Sequence, residues 1–192
     1  MTDEQLIIAA RHGQTEWSAS GQHTGRTDIA LTAEGEAQAE RLGRWLADER
    51  FDHVWTSPLQ RAAETCRLAG FGDRAEVVED LQEWDYGEYE GRTRTDIHGE
   101  DPGWDVWTSG APGGESVEQM AARVQRLVGR LGDTSGRVLL FAHGHLLRSL
   151  ACAWIDLPIR AGARLPLDTA AMGHLGRYHG RRALHRWNVT AP

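Results

Sequence analysis

The sequence predicts an α/β protein, a three-layer α/β/α sandwich built on a mainly parallel central sheet. Two observations support this prediction. Short apolar runs of strand length alternate along the chain with longer segments that have helical periodicity. The chain has 192 residues, which corresponds to about one domain and can bury a full hydrophobic core. We therefore expect one domain over residues 1–192, with a single irregular excursion at about 84–114.

The strands are predicted from apolar runs that stop at turn-forming or polar residues. The run at 6–10 is followed by Arg11, His12 and Gly13. The strongest run, at 138–142, is followed by His143 and Gly144. Shorter or weaker strand candidates lie at 53–56, at 77–78, near 170–175 and near 183–189.

The helices are predicted from apolar stripes and from capping residues. Thr32 is a candidate N-cap for a helix that extends to about residue 50. Ser116 and Gln119 form a capping-box pattern, which opens a helix extending to about residue 131. Two further helices are expected at about 59–69 and 146–155.

Composition excludes several classes of protein. The net charge of −7 argues against a general nucleic-acid binder, and no apolar run approaches the ~18 residues of a membrane span. The acidic start and the short apolar run at 6–10 argue against a secretory leader. Cys66 and Cys152 form neither a disulfide framework nor a zinc pattern. We therefore expect two buried thiols and a cytoplasmic, reducing location.

Every basic residue in the chain is arginine, because the sequence contains no lysine. A lysine nucleophile, Schiff base or phosphate anchor is therefore excluded. Any anion site must use arginine, histidine and backbone N–H groups.

Two histidine–glycine corners provide the first functional indication. His12-Gly13 and His143-Gly144 each follow a predicted strand, and ligands bind outside the carboxyl ends of parallel strands. Neutral imidazole is nucleophilic near neutral pH, and arginine offers a planar fork for phosphate oxygens. With Arg11 beside His12, and with Arg61 at the start of a predicted helix, this pattern favours phosphoryl chemistry without a metal.

A series of sequence blocks extends along nearly the whole chain. The blocks are RHGQTEW at 11–17, GRTD at 25–28, LTAEG at 31–35, SPLQRAAET at 57–65, LQEWDYGEYEG at 81–91, GGES at 113–116 and HGH at 143–145. In content and order they resemble the histidine phosphatases, the phosphoglycerate mutase-like superfamily. A subgroup pattern, formed by SASGQHTGRTD, EWDYG and HGH, is similar to that of broad-specificity acid phosphatases and sedoheptulose-bisphosphatases.

The resemblance implies a phosphoglycerate mutase-like fold and a role for each catalytic residue. It implies that His12 is the nucleophile that becomes phosphohistidine. Arg11, Arg61 and His143 would bind the phosphoryl oxygens. Glu83 would protonate the leaving oxygen and then activate water. It implies no cofactor, and the His-x-His spacing of the HGH block lacks the further ligands of a metal site.

The resemblance also implies substrate contacts. Ser18 stands where the family commonly has asparagine, and because its side chain is shorter its contact with phosphate is left open. His145 is either a substrate contact or a residue that supports the entry to the helix. The other implied contacts are Gln22, His23, Thr24 and Gly25 in one loop, Tyr86 and Arg94 in the excursion, and Gly144 after the last parallel strand.

Three functions are consistent with this pattern. The leading one is a metal-independent phosphomonoesterase that acts on small phosphorylated metabolites, either sugar phosphates or a broad range. The alternatives are a phosphoglycerate mutase and a silent phosphate-binding module. In the mutases a longer insertion supplies an adjacent arginine pair, whereas here Arg92 and Arg94 are not adjacent. No nucleic-acid or membrane partner is expected, and a homodimer is left open.

Overall fold

A six-stranded sheet forms the middle layer of the protein, whose computed structural model describes residues 5–192. Across the sheet the strand order is β3-β2-β4-β1-β5-β6. The first four strands are parallel, whereas β5 is antiparallel to both of its neighbours. In chain order the strands are β1 (Leu6–Arg11), β2 (His53–Thr56), β3 (Glu76–Val77), β4 (Arg137–Ala142), β5 (Met172–Tyr178) and β6 (Arg181–Val189).

Helices cover both faces of this sheet. The predicted helices are present as α2, α3, α6 and α7, with ends that differ by a few residues, and α1, α4 and α5 are additional. In chain order the helices are α1 (Glu16–Ser20), α2 (Ala33–Leu46), α3 (Gln60–Leu68), α4 (Arg94–Glu100), α5 (Val106–Ser109), α6 (Val117–Asp133) and α7 (Gly144–Trp154).

The central strands are apolar because both of their faces are buried. In β1, Ile7 and Ala9 belong to the hydrophobic cluster that includes α6 and α7. Ile8 and Ala10 belong to the cluster that includes α2 and α3. This alternation is the period of two that a strand imposes on its side chains. The expected three-layer sandwich with a mainly parallel sheet is confirmed.

The site depends on the adjacency of β1 and β4. These strands pair in parallel with Arg11 opposite Ala142, so His12 and His143 leave the sheet side by side. The turn after His12 passes very close to the start of α2. A Cβ on Gly13 would lie 2.3 Å from the carbonyl oxygen of Gly35, and only glycine allows that approach.

The excursion at 84–114 is tied to the loop that follows α1. His23 and Arg92 are joined by a backbone hydrogen bond of 2.9 Å, and so are Gly91 and His23. The α4 helix begins with a capping box between Thr93 and Asp96. These contacts place the excursion at the carboxyl edge of the sheet.

The composition led to expectations about membrane spans, free thiols and a secretory leader. Within residues 5–192, no helix has the combination of length and apolar character that crossing a bilayer requires. Cys66 and Cys152 are free and buried, and burial raises the pKa of the two thiols to about 12 and about 11. Residues 1–4, whose acidic members Asp3 and Glu4 entered the argument against a leader, lie outside the described residues.

Candidate active site

A cavity of about 180 Å³ opens at the carboxyl edge of the sheet. Most of the residues predicted for the site line it, and Gly21, Arg148 and Leu167 line it as well. The predicted residues that line the cavity are Arg11, His12, Ser18, Gln22, His23, Thr24, Glu83, Tyr86, Gly144 and His145.

His12 is held as a neutral imidazole with a defined tautomer. Its Nδ1 lies 2.7 Å from the carbonyl oxygen of Gly13, which can only accept, so Nδ1 carries the hydrogen. Burial, together with the nearby charges of Arg11 and Arg61, holds the pKa of His12 well below its usual range. Nε2 therefore keeps a free lone pair, as a nucleophile at physiological pH requires.

Arg61 is fully buried at the start of α3, and loop carbonyls hold its guanidinium in place. One terminal nitrogen donates to the oxygens of Thr24 and Gly25, at 3.2 and 2.8 Å, and the other donates to that of Thr27 at 3.1 Å. The predicted loop residues Thr24 and Gly25 thus orient Arg61 through their backbone. Arg11 is held in a similar way, since it donates to the oxygen of Leu167 at 2.6 Å.

His143 packs beside His12, with 5.2 Å between the ring centroids. Its Nε2 lies 2.8 Å from the hydroxyl of Ser57, and that hydroxyl accepts from the N–H of Leu59. Among the described residues the Ser57 proton has no acceptor other than His143 Nε2, so Ser57 donates to that nitrogen and the hydrogen of the neutral ring is on Nδ1. Burial and the neighbouring arginines hold the pKa of His143 well below its usual range.

Three buried donors at this site have no hydrogen-bond partner among the described residues. They are the Nε atoms of Arg11 and Arg61 and the Nδ1 atom of His143. Neither guanidinium forms an ion pair within the described part of the chain, and burial lowers the pKa of both arginines. Buried donors and uncompensated positive charge are costly unless an anion satisfies them. The surroundings of His12 are therefore built for an anion.

Glu83 is distant from α7 in sequence, but in the fold its side chain lies next to the first turn of that helix. There its carboxylate takes the place of a capping side chain. It accepts from the backbone N–H groups of His145 at 3.0 Å, Leu146 at 2.9 Å and Trp84 at 2.9 Å. His143, the N-cap residue, makes no capping bond with its own side chain. The carboxyl group is thus fixed in the cavity wall, where it can exchange a proton with a bound molecule.

Ser18 lines the cavity, but its hydroxyl is engaged elsewhere. It donates to the carbonyl oxygen of Thr15 at 3.0 Å and accepts from the N–H of Thr15 at 2.8 Å, which closes the capping box of α1. With this hydrogen bond to Thr15, Ser18 has no proton left to donate to a phosphate. Gln22 likewise uses its amide N–H elsewhere, since it donates to the oxygen of Gly91 at 2.6 Å.

Arg94 lies away from the cavity. Its side chain is about two-thirds exposed and lies 3.8 Å from a carboxylate oxygen of Asp105. Its Nε contacts His98. Arg94, the first residue of α4, is directed toward Asp105 and His98 and is not among the residues that line the cavity.

Besides Gly21 and Leu167, sequence reasoning missed Arg148 and Ser57, whose side chains contact residues of the site. Arg148 lines the cavity from α7, three residues after His145, and that helical spacing was the available signal. Ser57 stood inside a recognised block, but nothing in the sequence linked it to His143. Among residues 5–192, no group of three or more histidine, cysteine or acidic side chains is arranged to hold a metal ion.

Comparison with known proteins gives consistent matches over nearly the full chain. Residues 7–190 match the family model described as the histidine phosphatase superfamily, branch 1. The chain is 42% identical to an acid phosphatase of Mycobacterium tuberculosis, over 96% of this chain and 92% of the relative. It is 36% identical to sedoheptulose 1,7-bisphosphatase of Saccharomyces cerevisiae, over 80% of this chain and 68% of the relative.

Two further similarities bear on function and fold. The chain is 37% identical to a 2,3-bisphosphoglycerate-dependent phosphoglycerate mutase of Methylorubrum extorquens, over 86% of both chains. The solved structure of an open reading frame product of Mycobacterium tuberculosis superposes with a TM-score of 0.93. It is 40% identical, over 98% of this chain and 99% of that one.

Proposed function

Because the chain belongs to the histidine phosphatase superfamily, we propose that it hydrolyses phosphate monoesters of small metabolites with His12 as its nucleophile. Family membership confirms the resemblance drawn from the sequence, including the phosphoglycerate mutase-like fold. The observation that most supports the proposed activity is the set of three unpartnered donors beside a neutral imidazole. The substrates are sugar phosphates or a broader range of small esters.

The first half of the reaction transfers the phosphoryl group to the enzyme. Arg11, Arg61 and His143 bind its non-bridging oxygens, where negative charge spreads in the transition state. The Nε2 lone pair of His12 forms the new P–N bond while the P–O bond to the alcohol breaks. Glu83, in its protonated form, gives its proton to the leaving oxygen, so the alcohol departs neutral.

The second half restores the enzyme with water. The Glu83 carboxylate takes a proton from a water molecule, whose oxygen attacks phosphorus as the P–N bond breaks. Inorganic phosphate leaves and His12 is again a neutral imidazole. The charge stabilisation that a metal ion gives in other phosphatases comes here from two guanidinium groups and an imidazole N–H.

The protein is further proposed to work as one domain over residues 1–192, without cofactor, in the cytoplasm. One site that draws on β1, α3, the excursion and α7 supports the single-domain proposal. Two free, buried thiols are typical of a reducing compartment. The net charge of −7 supports a small-molecule substrate rather than nucleic acid.

A mutase is the alternative that the comparisons raise, and the excursion argues against it. Arg92 pairs with Glu100 at 2.7 Å and Arg94 lies near Asp105, so these arginines do not form a joint site for a substrate carboxylate. The silent-module alternative is not favoured, because Glu83 and His12 complete a catalytic set that binding alone does not need.

The proposed activity predicts release of inorganic phosphate rather than isomerisation. The purified protein should release phosphate from several small esters, an aryl phosphate and a sugar phosphate among them. Supplied with 3-phosphoglycerate and a trace of 2,3-bisphosphoglycerate, it should form little 2-phosphoglycerate. Rapid isomerisation with little free phosphate would instead identify a mutase, and no turnover of any ester would identify a binding module.

Replacing Glu83 should affect substrates according to how much their leaving group needs a proton. In Glu83→Gln we expect hydrolysis of an alkyl phosphate to fall by about 10²-fold. An aryl phosphate such as 4-nitrophenyl phosphate should lose much less in its first step, because its leaving group departs as a stable anion. Burst kinetics would report that step alone. Glu88→Gln, on an exposed carboxylate of the same segment, is the matched control. Equal losses on both esters would show that Glu83 is not the proton donor.

A further inference from the structure

A second wall of the cavity lies beside the phosphoryl site and consists of His23, Tyr86, His145 and Arg148. The rings of His23 and Tyr86 pack edge to face with centroids 4.9 Å apart. The Tyr86 hydroxyl lies 2.6 Å from Nδ1 of His145. These contacts fix which polar atoms of this wall are free to meet the alcohol part of a substrate.

Arg148 determines where the protons of this network lie. Its Nη1 is 3.4 Å from Nε2 of His145, and because a guanidinium can only donate, that nitrogen accepts. Burial holds the pKa of His145 well below its usual range, so the ring is neutral and its hydrogen is on Nδ1. His145 therefore donates to the Tyr86 oxygen. The Tyr86 O–H is left free to donate into the cavity.

His23 presents a hydrogen-bond acceptor to the cavity, whereas Tyr86 presents a donor. Its Nδ1 lies 2.9 Å from the carbonyl oxygen of Arg92, so the hydrogen of the neutral ring is on Nδ1. Burial lowers the pKa of His23, which keeps the ring neutral at physiological pH. No described residue hydrogen-bonds to its Nε2. That atom therefore offers a lone pair at the cavity wall, close to the Tyr86 ring.

We propose that the Tyr86 hydroxyl and His23 Nε2 form a donor–acceptor pair that selects phosphate esters whose alcohol part carries a free hydroxyl group. A substrate hydroxyl can accept from Tyr86 and donate to His23 at the same time. A carboxylate has no proton for His23, an ammonium has no lone pair for Tyr86, and an alkyl group satisfies neither. This inference rests on the proposed phosphatase activity and narrows its substrate class.

Arg148 acts in this proposal as a positioning residue. Its guanidinium lies 4.7 Å from the centre of the Trp107 ring, and its Nε donates to the oxygen of Gly162 at 2.9 Å. These contacts hold the donor that fixes the His145 tautomer. Without it, His145 can place its hydrogen on Nε2, and the Tyr86 proton then turns to Nδ1 and away from the substrate.

The test compares two esters with the same carbon chain, glycerol 3-phosphate and propyl phosphate, in the full-length protein. The measured quantity is the ratio of their kcat/KM values. Tyr86→Phe removes the donor. His23→Asn removes the Nε2 acceptor atom while keeping an N–H able to reach the Arg92 oxygen, and its own Oδ1 is too close to the backbone to occupy the Nε2 position. In each variant we expect the ratio to fall at least about fivefold, the usual effect of losing one hydrogen bond. The difference in leaving-group acidity is the same in every variant and cancels.

Tyr89→Phe is the matched control, since it removes a phenol hydroxyl from the same segment at a ring that packs on Trp104 outside the cavity lining. Its ratio should stay within about twofold of the wild-type value. Arg148→Met should lower the ratio as Tyr86→Phe does, and adding it to Tyr86→Phe should lower the ratio no further. A merely structural role for Arg148 would give additive losses.

The outcomes separate this inference from the activity on which it rests. If wild-type protein releases phosphate from neither ester nor from an aryl phosphate, the proposed function fails. If it hydrolyses them and the ratio is unchanged in folded Tyr86→Phe and His23→Asn, the hydroxyl-selecting pair is overturned. Should Tyr86→Phe not fold, as judged by its melting temperature, the His23→Asn ratio alone decides.

Discussion

The His12→Ala variant is expected to lose phosphatase activity by a factor on the order of 10⁴ or more, as removal of a covalent nucleophile does in other enzymes. The expectation follows from the geometry of the ring. Its Nδ1 is committed to the Gly13 oxygen, so Nε2 is the atom that faces the anion site. Without it no phosphoenzyme can form. Steady-state kcat/KM on an aryl phosphate is the measurement.

Two controls separate lost chemistry from lost structure. His53→Ala removes an exposed histidine at the start of β2 and should keep full activity. The melting temperature of His12→Ala should fall by no more than the substitution of a single buried residue usually causes. A folded His12→Ala protein that retained activity within about tenfold of wild type would show that another group attacks phosphorus, because covalent catalysis does not survive loss of its nucleophile.

Arg61→Met is expected to lower kcat/KM by about 10³–10⁴, the scale at which a transition-state arginine acts in phosphoryl transfer. Its buried Nε has no partner in the described chain, so it is free to bind the phosphoryl oxygens. The same variant should bind inorganic phosphate much more weakly. Arg61→Lys should recover only part of the loss, since an ammonium cannot form the planar fork.

The matched control for this prediction is Arg67→Met in the same helix. Arg67 is exposed and pairs with Glu64 at 2.6 Å, so its removal should leave activity nearly unchanged. Arg61 also donates to the carbonyl oxygens of Thr24, Gly25 and Thr27, so its removal can disturb that loop. For this reason phosphate inhibition must be measured together with kcat/KM. Unchanged phosphate affinity in a folded Arg61→Met protein would contradict the assigned role.

Particular elements show what the sequence could predict of the fold. The continuous apolar run of β1 indicated a strand buried on both faces, and the Ser116 capping box marked the start of α6. The α1, α4 and α5 helices were not predicted, because they have five, seven and four residues and cannot show a helical stripe. The capping box of Thr93 and Asp96 was the only local signal of α4.

The residues of the site also divide into those that the sequence could predict and those that it could not. His12 and His143 could be predicted to lie close together because parallel strands end at one edge of a sheet. The structure adds that β1 and β4 are neighbours. Glu83 could be selected among many nearby carboxylates only through the family resemblance. The structure supplies the physical distinction, which is three backbone N–H groups that meet at its carboxylate. Sequence spacing could not show that Arg94 is directed toward Asp105.

Direct trapping of the phosphoenzyme tests the central claim. The protein is mixed with substrate, quenched in alkali within one turnover, digested and analysed by mass spectrometry. The account predicts a phosphoryl group on His12 that is stable to base, labile to acid and absent from His12→Ala. A base-stable phosphoryl group on another residue, or rapid turnover with no labelled histidine, would contradict it.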